Sequence, residues 1–253
     1  MPNHVTTIFT LESVSGDDLS KAQDVFLNDK RVVDFNKIVP MPACLKDFNP
    51  HSGITTRAEL ALGLLQEPSK DPKDISDLTV SLHFSNAMRD ATRPIDKEDI
   101  AKVCRAMSNY AECGYTNWYD WCNDTWQTKW NAYAQPEGWP EDTTEFRFET
   151  AWSHPVKIMQ LLSERVSNVQ ISVAYADEDT GSNCGQYVLR DGQVIEEDIA
   201  PRYCDMSEEE KKKWCEFAFK LTHPDEDPRS CGYDENWVFS DAVLDAYEAQ
   251  QSA

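Results

Sequence analysis

The order of its patterned segments predicts that this chain has an α+β fold. Two stretches, one at the start and one near residues 146–175, read strand-helix-strand, and a mostly helical stretch over 41–142 separates them. A sharp hairpin signal follows the second stretch, and an acidic helical tail ends the chain.

Val5-Thr6-Thr7-Ile8-Phe9-Thr10-Leu11 is rich in β-branched and aromatic residues and predicts the first strand. Ser15-Gly16-Asp17-Asp18 turns the chain and puts acids at a helix start, where the helix dipole favours them. Leu19, Ala22, Val25 and Phe26 then recur at helical spacing. Phe35–Val39 reads as a short strand, stopped by Pro40-Met41-Pro42. In the helical stretch, Leu60, Leu62, Leu64 and Leu65 mark one helix, Pro68–Asp77 a linker, and Pro94 the start of a helix carrying Ile95, Ile100, Val103 and Met107.

Phe146, Phe148, Thr150 and Trp152 alternate with Arg147, Glu149 and Ala151, as in a strand with one buried face. Pro155 opens a helix with Ile158, Leu161, Leu162 and Val166, and Val169, Ile171, Val173 and Tyr175 alternate again. Gly185–Leu189 and Gln193–Ile195 form a hairpin across Asp191-Gly192. Ser207 with Glu210 is a capping box opening a helix through Leu221, and a last helix lies near 240–249. The order β-α-β, helical insertion, β-α-β is that of a ferredoxin-like split βαβ sheet. It divides the chain into an N-terminal α+β region (1–142, with the insertion at about 41–142), a second βαβ half with an extra hairpin (143–198), and a helical tail (199–253).

Charge narrows the function classes. The 253 residues carry 45 acids against 24 bases, a net charge of −21. Residues 101–253 alone hold 29 acids and 13 bases. Nucleic acid is held by neutralising phosphates with Lys and Arg, so neither nucleic acid nor an anionic membrane is an expected partner. The densest basic run, Lys211-Lys212-Lys213, directly follows Glu208-Glu209-Glu210. No apolar run approaches the ~18 residues of a membrane span, and Met1-Pro2-Asn3-His4 does not open a secretory leader. The eight scattered cysteines read as reduced thiols in a cytoplasmic setting.

Few constellations carry chemistry. Trp118, Cys122, Trp126 and Trp130 are spaced by four, with Trp121 beside them, predicting one aromatic helix face that docks on the sheet or is presented to a partner. Asp177-Glu178-Asp179 at a strand end is the densest acid cluster there. A calcium loop needs glycine at its sixth position and Glu at its twelfth, and from Asp177 these are Ser182 and Val188, so the motif fails. No CxxC occurs, and the gaps between Cys204, Cys215, His223 and Cys231 are wide for a metal site. Cys184 has acidic neighbours that oppose a thiolate. His154, before Pro155, fits a helix start better than a general base, and His4 a structural role. No nucleotide-binding or nucleophile-elbow motif is present, and Phe146-Arg147-Phe148 lacks the basic context of an RNA-stacking strand. No catalytic residue, metal ligand or cofactor is expected.

Met1-Pro2-Asn3-His4-Val5, Asp34–Pro42, the Asn117–Asn131 block and Phe148-Glu149-Thr150-Ala151-Trp152 together resemble the YubB-like family of plasmid- and phage-borne proteins with a ferredoxin-like domain, over residues 1–198. The resemblance brings no activity and no catalytic residue. It implies a mobile-element product acting in the cytoplasm of a bacterial host. With the charge, it leads to the expectation of a non-enzymatic acidic protein that binds a host or phage protein with a basic surface, in its most concrete form a nucleic-acid mimic countering a defence nuclease. The expected contact residues are Asp177, Glu178, Asp179, Glu196, Glu197 and Asp198, with Trp118 and Trp121. The alternatives are a small hydrolase or metal-dependent enzyme using carboxylates, and an assembly module pairing through its Trp face.

Overall fold

The computed structural model describes residues 3–66 and 94–251. The linker expected over Pro68–Asp77 lies outside the described residues. The chain divides into two compact units, residues 1–40 with 125–253, and residues 41–124.

The first unit is built on a five-stranded antiparallel sheet. Strand β1 (His4–Glu12) leads into helix α1 (Gly16–Phe26), and a single helical turn, α2 (Phe35–Ile38), follows. The chain re-enters this unit at residue 125 and forms β2 (Glu145–Ala151), a helix over Val156–Arg165, β3 (Gln170–Asp177), β4 (Gly185–Arg190) and β5 (Gln193–Ile199). The strand order is β2-β1-β3-β4-β5. Strand β1 therefore lies between β2 and β3, which are parallel to each other and joined over the sheet by the helix. This is the split βαβ arrangement of a ferredoxin-like fold.

One strand of the expected pattern is missing. Asp34–Val39 forms the turn α2, because Asp34 caps it: its carboxylate accepts from the Asn36 amide (2.8 Å) and from Asn131 Nδ2 (2.7 Å). Asn131 Oδ1 in turn accepts from the Phe35 amide (2.9 Å). Phe35 and Ile38, three apart, are both buried, a helical spacing. The sheet extends instead on its other side, through the β4–β5 hairpin. Its turn is Asp191-Gly192, with φ of 49° and 76°. Both values are positive, as a type I′ turn requires, and a Cβ at Gly192 would run into the Glu164 side chain.

One face of the sheet packs on the helices. Phe9 stacks on Phe146 (5.0 Å between centroids) and meets Phe26 and Phe148 edge-on, and Phe35 bridges Phe148 and Trp126. Burying such rings is the main stabilising term of this layer.

The second unit contains helices α3 (Ser52–Gln66) and α4 (Lys97–Cys113) and ends in α5 (Trp118–Thr125). Phe48, Ala58 and Ala106 form its small core, with Val103 and Met107 against them. Helix α4 starts at Lys97 and not at Pro94, because Asp96 caps it by accepting from the Asp99 amide. The unit ends at 124, short of the expected 142, since residues 125–142 belong with the sheet. In the first unit, the Val156–Arg165 helix is α6, and the tail supplies α7 (Glu208–Thr222) and α8 (Asp241–Gln251). The Ser207–Glu210 capping box opens α7 as the sequence predicts. Among the described residues no helix is long and apolar enough to cross a membrane.

Candidate functional site

The face of the sheet turned away from α1 and α6 holds the candidate site. Strand pairing lays two rows of side chains across all five strands. The first row is Glu145, Thr10, Ser172, Val188 and Glu196; the second is Arg147, Ile8, Ala174, Gln186 and Asp198. The buried alternation of Phe146 and Phe148 fixes this, because it turns Glu145 and Arg147 to the opposite side.

Helix α7 covers one end of this face. Trp214 and Ala218 pack with Ala176, Cys184 and Met206. The Arg147 guanidinium donates to the carbonyls of Leu221 (2.8 Å) and Thr222 (3.1 Å), satisfying two acceptors at the helix C-terminus. The uncovered part is a groove of about 540 Å³ over both rows. Its floor is small and mostly uncharged: Ile8, Thr10, Ser172, Ala174, Gln186 and Val188. Carboxylates stand at its rim, Glu145 on one side and Glu196 with Asp198 on the other. The first row thus ends in a glutamate at each edge, four strand spacings apart, roughly 19 Å.

Of the six expected contact acids, two face the groove, two lie beyond α7, one points to the other face of the sheet and one is buried. Glu196 and Asp198 face the groove, and Asp198 accepts from Lys213 of α7 (2.7 Å). Glu197 pairs with Tyr187 and so points to the other face of the sheet. On the far side of α7, Glu178 and Asp179 are exposed beside Lys211, Lys212 and the rings of Tyr203, Tyr233 and Trp237, around a second hollow of about 610 Å³. Asp177 is buried. It accepts from Asn3 Nδ2 (3.1 Å), Asn183 Nδ2 (2.9 Å) and the Asp179 amide (3.0 Å), and so holds the turn after β3.

The four-residue spacing of the tryptophans does not make one helix face. Helix α5 ends at Thr125, and Gln127 takes a left-handed conformation (φ 61°). The Thr128 hydroxyl then donates to the Ala151 carbonyl and accepts from the Ala151 amide, which pins the chain to the end of β2. Trp118 and Trp121 belong to the second unit, and Trp126 and Trp130 to the first. Trp121 is buried; Trp118 is half-buried and its indole donates to Asn49 Oδ1 (3.1 Å).

The residues most like catalytic groups lie inside the protein. His154 is buried between Thr7 Oγ1 (2.8 Å) and the Tyr187 hydroxyl (2.6 Å) and stacks on Tyr175. Burial pushes its pKa down to about 3, so the ring is neutral and bonds through both nitrogens. Burial also pushes the Cys184 thiol up to about 12, so it stays protonated and packs. Among the described residues no group of three or more His, Cys, Asp or Glu could hold a metal ion.

Sequence reading did not single out Glu145 as part of a site. The signal lay in the Phe146/Phe148 alternation, but its partner across the sheet, Glu196, comes from a strand about fifty residues away.

Residues 125–218 match the family model of the ferredoxin-like domain in Api92-like protein. The match begins where the chain re-enters the sheet unit, spans β2 to β5, and ends within α7. No curated protein and no solved structure matches the chain.

Proposed function

We propose that this chain is a non-enzymatic acidic binding protein whose groove on the open sheet face receives basic side chains of a partner protein. The observation that carries the reading is the row with a glutamate at each edge over an uncharged floor. A basic segment laid along the row, over Thr10 and Ser172, meets Glu145 at one rim and Glu196 at the other. The net charge of −21 adds long-range attraction for a basic surface and raises the encounter rate.

In its most specific form, the partner is a host or phage protein, the chain is the product of a mobile element, and the acids stand in for a phosphate backbone in the basic groove of a defence nuclease. Glu196 and Asp198, two apart on one strand, repeat at about 7 Å, close to the separation of successive phosphates along a DNA strand. The blocks resembling plasmid- and phage-borne proteins are what supports that origin.

The test is capture from bacterial lysate at low and high salt, with the wild type beside a Glu145→Gln, Glu196→Gln, Asp198→Asn variant. A basic protein held by the wild type at low salt, released at high salt and lost by the folded variant supports the reading. Equal capture by both chains refutes the groove as the site.

A further inference from the structure

We propose that the outer edge of β5 accepts an extended, lysine- or arginine-bearing segment of a partner protein as a sixth strand. The inference rests on the reading of an acidic surface that binds basic partners, and adds how the partner's backbone is held.

Strand β5 is the last strand of the sheet, and among the described residues no strand pairs with its outer side. The direction of its backbone groups follows from the pairing. The Ala200 amide donates to the Cys184 carbonyl (3.0 Å), continuing the β4–β5 ladder one step beyond Gly185 and Ile199. In an antiparallel ladder alternate residues bond to the neighbour, so Glu196 and Asp198 turn their amides and carbonyls toward β4. Glu197 and Ile199 turn theirs outward, away from β4. The usable edge is short. A bulge shifts the register between Val188 and Leu189, leaving Ile195 as the extra residue, and Pro201 has no amide to offer.

The side chains select the occupant. Every residue of β5 except Asp198 is exposed, including the apolar Ile195 and Ile199. A second copy of β5 pairing antiparallel here would set Glu196, Glu197 and Asp198 against the same three acids, and like charges across strands repel. A segment with alternating bases sets them all against Glu196 and Asp198 on the groove face and lays its apolar residues beside Ile199 on the other. The same charges that prevent self-pairing therefore favour a basic strand.

The test uses an eight-residue peptide of alternating lysine and valine, and the same peptide N-methylated at every residue, which keeps the charge and removes the amide donors. Binding is measured at low salt by calorimetry, and amide hydrogen exchange of Glu197 and Ile199 is followed by NMR. The expected result is protection of those two amides by the unmodified peptide and binding of the methylated one weaker by about tenfold or more. Ile199→Pro, which removes an outward amide without touching the β4 ladder, should weaken the unmodified peptide and leave the methylated one unchanged. Equal binding of the two peptides, or binding without protection of Glu197 and Ile199, overturns strand addition while leaving the acidic groove in place. No binding of either peptide overturns both.

Discussion

The Lys213 ammonium lies 2.7 Å from the Asp198 carboxylate, tying helix α7 to the edge strand of the sheet. The same ammonium sits 4.2 Å over the Trp214 ring. Both partners of the ion pair are about half exposed, so solvent screens it and its contribution to stability is under about 1 kcal/mol. Lys213→Gln should therefore lower the melting temperature only slightly. It also frees one rim carboxylate, so the association rate of a lysine-rich peptide at low salt should rise a few-fold, as measured by stopped-flow fluorescence. A slower association would show that Asp198 does not face the incoming charge.

His154 makes stability depend on pH in a defined direction. Its folded pKa, about 3, lies below the ordinary 6.5, so between these values the unfolded chain binds a proton that the folded chain does not. The contribution is fully present above pH 6.5. It is lost as pH falls toward 3, with a slope of at most about 1.4 kcal/mol per pH unit. Urea unfolding between pH 7.5 and 4.5 should show this loss. His154→Gln should be less stable at pH 7.5 and show a flatter slope.

Trp126 anchors the turn α2 to the sheet. It is 2% exposed, its indole donates to the Val39 carbonyl (3.0 Å), and its ring meets Phe35 edge-on. Trp126→Ala should cost roughly 3–5 kcal/mol in chemical denaturation. Trp118→Ala should cost clearly less, since Trp118 is only half-buried.

Asn131 carries two bonds that keep Asp34–Val39 helical. Burial raises the Asp34 pKa, but the bonds from Asn131, Asn36 and Asn28 outweigh it, and the carboxyl stays below its ordinary value. Asn131→Ala should destabilise the protein by about 1–3 kcal/mol at neutral pH, because a backbone amide and a carboxylate lose partners. The carbon resonance of the Asp34 carboxyl should then titrate at a higher pH than in the wild type.

The net charge of −21 also predicts that the purified chain binds no DNA or RNA at physiological salt. A mobility shift that weakens as salt is added would overturn the argument from charge.

The elements legible in the sequence are those written by local repetition. Strands β1 to β5 and helices α1, α6 and α7 each carry a period of two or 3.6, a cap or a turn pair within a dozen residues, and each forms where that pattern lies. The Asp34–Val39 segment broke the reading because its apolar content suits a strand or a turn equally. The choice was made by Asn131, about a hundred residues later in the chain. The tryptophan face failed for a similar reason: spacing by four implies one face only while the helix continues, and Thr128 ends it through bonds to Ala151.

By itself the sequence determined the α+β class, the split βαβ order, the charge and the absence of a recognisable catalytic motif, since these depend on composition and on neighbours along the chain. Only the tertiary structure decided which acids share a surface. Glu196 and Glu197 are adjacent, yet strand geometry turns them to opposite faces of the sheet, while Glu145 and Glu196, far apart in sequence, close the two ends of one row. Helix α7 likewise parts Glu178 and Asp179 from Asp198 by packing between them. Proximity along a chain sets propensity, but the side on which a carboxylate emerges is set by register, and register is fixed by partners that local sequence does not contain.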